Sequence, residues 1–303
     1  MQNNKPLVTV IAISYNQENY VLATLNSIKS QIYDNIQLII SDDASKDNTQ
    51  QIIAKWVAEE YPQAIFLANK QNAGITKNLN RAIPYIKGTF VKQIGCDDIL
   101  TNDSVSKIMT KFEELPDDYA VIYTNMSRIN EQGNLIDDVG LIEKRGHPTY
   151  NGFVYKEMIT RPFLTSASII FKKEVLDKLK CFNEKVFYED HDFYLRASKF
   201  FKFYYLPEKL VLYRVHLNSL INSSSRIKYF INQYFVYVTS YDSRKEYKNL
   251  YVERLLFCIK NLYYKKFRRN FLYSMRLFLM TGRFVFLKYA FASIPFIVTG
   301  NTK

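Results

Sequence analysis

Four places in the chain carry side chains that could do chemistry together. Adjacent carboxylates stand at Asp42-Asp43 in I-I-S-D-D and again at Asp97-Asp98 in Q-I-G-C-D-D-I-L. The run Y-E-D-H-D (188–192) holds Glu189, Asp190 and Asp192, and Y-R-V-H (213–216) ends on His216. A site that holds anionic phosphates through a divalent cation needs few carboxylates. Mg2+ or Mn2+ takes one or two from the protein and completes its shell with phosphate oxygens and water. Such a cation stabilises charge on a departing diphosphate, and a separate carboxylate can take a proton from an attacking hydroxyl. The paired strand-end acids and the Glu189/Asp190 pair suit those two tasks, and His216 could add an imidazole ligand. Each feature also has a plainer reading. Acidic turns are common, acids at a helix start favour the helix dipole, and a lone histidine after a strand is more often structural.

The elements that would position these groups are legible in the first hundred residues. L-V-T-V-I-A-I-S (7–14), I-Q-L-I-I-S (36–41), A-I-F-L-A (64–68) and T-F-V-K-Q-I (89–94) read as buried strands. Between them, helical spacing marks 20–30, a segment opening at Asp47-Asn48-Thr49 and running through Trp56 and Val57, and about 76–83; a further helix follows over 102–115. Strand–helix–strand units of this length imply right-handed crossovers and a mainly parallel sheet, with ligands bound beyond the carboxyl ends of the strands. Those ends carry Ser14-Tyr15-Asn16, Asp42-Asp43, Asn69 to Gly74 and Asp97-Asp98, so two acid pairs share one sheet edge. Later, strands are expected at 120–125 and 166–171, helices at 174–179 and 188–198, and irregular chain over 134–160.

Composition bounds the rest. With 303 residues, 48% hydrophobic and 23% charged, the chain can bury a sizeable core and is not broadly disordered. Cys96, Cys181 and Cys258 are scattered, without a C-x-x-C pair, which argues against a zinc cluster or a disulfide framework and fits a reducing, cytoplasmic compartment. The N-terminal apolar run lacks a cleavage site and reads as a first strand rather than a signal peptide. Charge is unevenly placed: residues 1–220 balance 26 basic against 26 acidic, whereas 221–303 hold 15 basic, 3 acidic and 20 of the 46 Tyr and Phe. A boundary is expected near 218–226.

Taken in order, V-T-V-I-A-I-S-Y-N (8–16), I-I-S-D-D-A-S-K-D-N-T (39–49), N-A-G-I-T-K-N-L-N (72–80), G-T-F-V-K-Q-I-G-C-D-D-I-L (88–100), F-Y-E-D-H-D-F-Y-L-R (187–196) and Y-R-V-H-L-N-S-L (213–220) resemble family 2 of the nucleotide-sugar glycosyltransferases. The resemblance covers about residues 6–220; each motif is weak alone and the ordered set is specific. It implies an α/β GT-A fold, Rossmann-like, with a mainly parallel central sheet flanked by helices. A nucleotide-sugar half would occupy about 1–100 and an acceptor half about 101–220. It implies that Ser14, Tyr15 and Asn16 line the nucleoside, that Asp42 and Asp43 contact base and ribose, and that Asn72, Gly74 and Asn80 lie in the segment closing over the nucleotide. Asp97, beside Cys96, matches the metal-binding second acid of D-x-D, Asp190 the general base with Glu189 next to it, and His216 a histidine near the metal or diphosphate. Gly95 is the departure, standing where the first acid of D-x-D would be.

The implied reaction is a single, inverting displacement assisted by Mn2+ or Mg2+. A hexosyl or N-acetylhexosaminyl group would pass from a nucleoside-diphosphate sugar, UDP-linked, to a hydroxyl of a glycan or lipid-linked saccharide, as in bacterial surface-polysaccharide assembly. Two other classes stay open. A sugar nucleotidyltransferase needs a Gly-rich loop near the N-terminus, and no glycine precedes Gly74. A non-catalytic nucleotide-sugar or glycan-binding module would share the sheet edge without turnover.

Residues 226–298 read as basic, aromatic helices. Arg269, Arg276 and Arg283 are seven apart, with Lys265 and Lys266 close to the same face if the helix is continuous, though Gly282 can interrupt it. The run 284–298 is short for a bilayer span and contains Lys288 and Pro295. The expectation is a face meeting anionic lipid head groups, with the enzyme peripheral on the inner side of the cell membrane; a solvated face packed on the catalytic domain is the plainer reading. No nucleic-acid motif accompanies the charge, so no nucleic-acid partner is expected.

Overall fold

In the computed structural model, residues 5–137, 139–146, 148–216 and 225–301 are described. They form two compact units, one of residues up to 155 with 163–216, the other of 156–162 with the chain beyond 216. The expected boundary near residue 220 falls on 217–224, outside the described residues.

The first unit is built on one sheet. Strands β1 (Val8–Ser14), β2 (Ile36–Asp42), β3 (Ile65–Ala68) and β4 (Phe90–Gly95) run parallel in the order β3-β2-β1-β4. Helices α1 (Val21–Lys29), α2 (Thr49–Glu60) and α3 (Ile75–Ala82) connect them. Near-continuous apolar runs are what a sheet covered on both faces requires. Val8, Val10, Ala12, Leu38, Ile40 and Ile94 bury one face together with Leu25 and Ile28 of α1 and Ile53 and Trp56 of α2. Each fully buried aliphatic side chain contributes about 1.5–3 kcal/mol relative to exposure. Register then sets the working edge: Ser14 stands opposite Asp42, Ile13 opposite Gly95 and Asp42 opposite Ala68. Four loops therefore leave the sheet at one level.

The second part of this unit is mixed. After β5 (Ile99–Leu100) and α4 (Ser104–Glu114) come β6 (Tyr119–Ile129), β7 (Leu135–Asp137), α5 (Leu141–Lys144), then α6 (Tyr155–Thr160), which beyond Tyr155 belongs to the second unit, and β8 (Ile169–Lys172), α7 (Glu174–Leu179), α8 (Glu189–Ala197) and β9 (Lys202–Arg214). Strand β8 is antiparallel to β4 and β6, whereas β9 runs parallel to β6 and antiparallel to β5. Two expectations need revision. Residues 134–160 contain β7, α5 and α6 rather than irregular chain alone, and β6 continues past 125 to Ile129. β6 is long because its partner is: β9 pairs with it over thirteen residues, interrupted where Leu206 faces Thr124 and Lys209 faces Asn125. Pro207 sits in that irregularity, where a missing N–H is tolerated.

The second unit is helical, with α9 (Arg226–Thr239), α10 (Lys245–Tyr264), α11 (Asn270–Thr281), α12 (Phe284–Ala292) and α13 (Phe296–Thr299). Aromatic packing holds it: Tyr234 stacks on Tyr273 at 4.2 Å between ring centres, and Ile227, Leu262 and Phe267 form a buried cluster. The three spaced arginines do not share a helix. Arg269 precedes α11, Gly282 ends it with φ +68°, and Arg283 precedes α12. A left-handed residue at a helix end is glycine's usual place, and it breaks the register assumed for one continuous face.

Candidate active site

The site assembles on the edge where β1, β2 and β4 end. Asp42 is fully buried, and its carboxylate accepts four hydrogen bonds, from Ser14 Oγ (2.7 Å), Ser45 Oγ (2.5 Å), the Ser45 amide (2.8 Å) and Gln50 Nε2 (2.6 Å). A buried carboxylate needs such a donor set to offset lost hydration. Asp43 does the same for the next loop, accepting from Asn69 Nδ2 and from the amides of Ala73 and Gly74. The two acids expected to touch base and ribose therefore shape the loops around them through their own oxygens. Between these loops Asn16 (φ +52°) and Ala44 (φ +61°) adopt left-handed backbone, which Asn tolerates and which costs Ala on the order of 1 kcal/mol. Asn16 is tied across by its amide to Ser45 Oγ and by its Oδ1 to the Lys46 amide. Tyr15 stands exposed beside it.

Asn72 lies exposed in the loop that Asp43 fixes, and Gly74, with φ +87°, opens α3. Asn80 is placed differently. Its Nδ2 donates to the Phe182 carbonyl and its Oδ1 accepts from the Phe182 amide, so its amide braces the chain before α8 instead of facing a nucleotide. Asn78, not singled out from sequence, is the α3 residue that reaches the sheet edge: it exchanges hydrogen bonds with Ser41 and accepts from Asn69.

At the end of β4 the four residues separate into distinct tasks. The Cys96 thiol packs in the core, where burial raises its pKa well above the usual thiol range, so the side chain is withdrawn from the nucleotide-sugar site; a free cysteine behaves as a small hydrophobe there. Asp97 stays partly open, and its Oδ2 lies 3.1 Å from His216 Nε2. Asp98 is buried, accepts from the Arg214 amide at 2.9 Å, and is pushed well above the ordinary carboxyl range by burial and then by Asp97. A Cβ on residue 95 would stand 2.6 Å from Asp97 Oδ1. Gly95 thus leaves the space that the Asp97 carboxylate occupies.

Strand β9 delivers the partners. Leu212 pairs with Ile99. Arg214 Nε then donates to the Asp97 carbonyl, and its Nη1 donates to the carbonyls of Asn130 and Glu131. The Arg214 guanidinium lies 4.9 Å from the centre of the Tyr20 ring, and that ring contacts His216 at 5.0 Å. Arg214 and Tyr20 escaped sequence reading because their contacts cross the sheet and carry no local motif.

The other acid pair opens α8. Glu189 is 5% exposed; its Oε1 accepts from Gln93 Nε2 (3.2 Å) and Ser166 Oγ (3.3 Å), and burial followed by the Asp190 charge pushes its carboxyl up to about 8. Asp190 accepts from the His191 amide at 2.7 Å; burial raises its pKa, and the Arg145 guanidinium is among the charges that oppose the rise. Asp192 is structural, fully buried between Asn183 Nδ2 and Arg196 Nε. The phenol of Tyr213 is raised by burial and then by Asp98, Asp97 and Asp190, with Arg145 opposing.

A matching family model spans residues 9–180, over half of the chain, and is described as glycosyl transferase family 2. The chain belongs to that family. Among its relatives is an uncharacterized glycosyltransferase, MJ1057, of Methanocaldococcus jannaschii, 26% identical over 84% of this chain and 86% of the relative. Two solved structures share the fold. S. aureus TarS in complex with UDP-GlcNAc aligns at a TM-score of 0.65 with 17% identity, over 97% of this chain and 82% of that one. The mannosyltransferase PcManGT from Pyrobaculum calidifontis, in complex with GDP-Man and Mn2+, aligns at 0.60 with 13% identity, over 97% and 86%. The family 2 chain described here is a glycosyltransferase, and its sheet is the GT-A sheet expected from its motifs.

Among the described residues no group of three or more His, Cys, Asp and Glu side chains could hold a metal alone. Asp97 Oδ2 and His216 Nε2 converge from beyond the ends of β4 and β9, with Asp97 partly open to solvent. The Asp97 carboxylate fits Mn2+ or Mg2+ when diphosphate oxygens and water complete the shell, and the added His216 imidazole favours the transition metal, Mn2+, over Mg2+.

Proposed function

We propose that this protein transfers a sugar, with inversion, from a UDP-linked donor to a hydroxyl of a glycan or lipid-linked saccharide acceptor, as in bacterial polysaccharide assembly. The observation that carries the reading is the presence of two acid centres on one unit: Asp97 beyond β4, 3.1 Å from His216, and Asp190 beside Glu189, which is tied back to β4 by Gln93 Nε2. Asp190 accepts the proton of the acceptor hydroxyl at its free carboxylate edge, while Glu189, kept neutral by burial, leaves that charge without a like-charged neighbour. The Asp42 and Asp43 loops hold Ser14, Tyr15, Asn16, Asn72 and Gly74 in place for the nucleotide. Asp97 and His216 are the residues that would hold Mn2+ or Mg2+, and the bound cation would offset charge on the departing diphosphate. TarS holding UDP-GlcNAc supports the donor class, and PcManGT holding GDP-Man and Mn2+ supports the cation. The transfer takes place at the inner face of the membrane, with the 226–298 region on anionic lipid.

The test is a donor screen by calorimetry with Mn2+ present, followed by product analysis. UDP-sugar binding together with an inverted anomeric product supports the proposal. Donor binding without transfer to any saccharide would instead favour a non-catalytic binding module, for which Gly95 in place of an acid is the supporting observation.

A further inference from the structure

Helices α11 and α12 expose large apolar side chains, and α11 buries mostly polar ones. In α11 the buried side is Asn270, Ser274, Leu277 and Thr281, while Leu272 and Leu279 are 61% and 78% exposed. In α12 the buried positions are Phe286 and Ala290, while Phe284 and Phe291 are 76% and 59% exposed. Asn270 Nδ2 donates to Ser293 Oγ within the unit, and large apolar side chains of both helices face outward. A helix pair folding against water alone places these the other way round.

The outward stripes also repeat. Leu272, Arg276 and Leu279 occupy positions i, i+4 and i+7 of α11, and Phe284, Lys288 and Phe291 occupy the same positions of α12. Arg276 and Lys288 are exposed. The two helices pack on one another across the Gly282–Arg283 link. No acidic residue follows Glu253, whereas seven basic residues lie between 265 and 288.

We infer that this helix pair is the element that seats the protein in an anionic lipid surface, with Leu272, Leu279, Phe284 and Phe291 among the acyl chains and Arg276 and Lys288 at the phosphates; the inference rests on the membrane-surface reading above. The charge selects the occupant. A second copy would bring like-charged stripes together, whereas anionic head groups complement them. Length sets the mode: α11 spans about 18 Å, short of the roughly 30 Å hydrocarbon core, and no helix among the described residues is long and apolar enough to cross a membrane. The pair therefore lies in the interface rather than through it.

The experiment sediments the full-length protein with vesicles of phosphatidylcholine alone or with 30% phosphatidylglycerol (an amount on the order of a bacterial anionic fraction). Binding to the anionic vesicles should exceed that to the neutral ones at least tenfold. The exposed double substitution Leu279→Ser with Phe284→Ser should lower it at least tenfold while thermal unfolding and donor hydrolysis stay unchanged. Full-length protein that ignores anionic vesicles overturns the membrane reading itself. Vesicle binding that survives the double substitution leaves that reading standing and overturns the assignment to this helix pair. Concentration-dependent dimerisation that the substitutions abolish also overturns it, in favour of a second copy.

Discussion

At the scale of single residues, the site separates acids that look alike in the sequence. Asp42, Asp43, Asp98 and Asp192 are engaged in holding the chain, while Asp97 and Asp190 are the acids to which the proposed function gives chemistry. Asp190→Asn should lower kcat by about 10²–10⁴, the usual worth of a positioned base, while calorimetry finds donor affinity unchanged; transfer at the native rate would remove Asp190 from the mechanism. Glu189 offers a pH signature. Its folded pKa, about 8, lies above the ordinary 4.5, so between those values the folded protein carries a proton that the unfolded chain lacks. Stability therefore falls as pH rises across that window, with a limiting slope of about 1.4 kcal/mol per unit for one proton. Lys92 is fully buried with its pKa lowered to about 7, and it tilts stability the opposite way above that pH. The range from pH 5 to 7 is where the Glu189 slope stands clearest. Glu189→Gln should make the slope in urea midpoints shallower, leaving what the raised Asp98 and Asp190 contribute, and a parallel slope in both proteins would count against a neutral Glu189. Gly95→Ala places a methyl within 2.6 Å of Asp97 Oδ1 and should raise the Mn2+ concentration needed for half activity several-fold, read from a cation titration.

At the scale of elements, legibility tracked how local the signal was. Strands β1 to β4 and their helices could be read because each is a continuous apolar run or a 3.6-residue period, and Asp42, Asp97 and Asp190 could be placed because their strand or helix could. Strand β9 gave no such cue: K-F-Y-Y-L-P-E-K-L-V-L-Y-R carries a proline and mixed polarity, and pairing with β6 and β5 stabilises it as a strand. Its Y-R-V-H end is legible for His216, whereas the cross-sheet bonds of Arg214 and the burial of Tyr213 carry no local motif, and Cys96 and Asn80 take motif positions although their side chains turn elsewhere. Arg214 pins the turn by donating to three carbonyls that only a planar fork can reach together. Arg214→Lys should cost about 2–3 kcal/mol in urea unfolding, within the range for charge-assisted bonds, and lower transfer by releasing Asp97 and His216. An unchanged midpoint would show that the fork is dispensable.

At the scale of the whole molecule, the chain joins a charge-balanced α/β unit to a basic helical one. Screening lengths shrink from about 10 Å at 0.1 M salt to about 3 Å at 1 M. Sedimentation with anionic vesicles should therefore weaken with salt but not vanish, because apolar insertion is insensitive to screening; complete release at moderate salt would mean that charge acts alone. The long reach of β9 has a consequence in time. The bond from the Arg214 amide to Asp98 joins residues 116 positions apart in sequence, and ribosomes add about 5–20 residues per second. For roughly 6–23 seconds of synthesis the acidic turn exists without the strand that sets it. A chain that ends before β9 lacks the Arg214 bonds that fix the Asp97–Asp98 turn, so truncation ahead of Lys202 should abolish transfer.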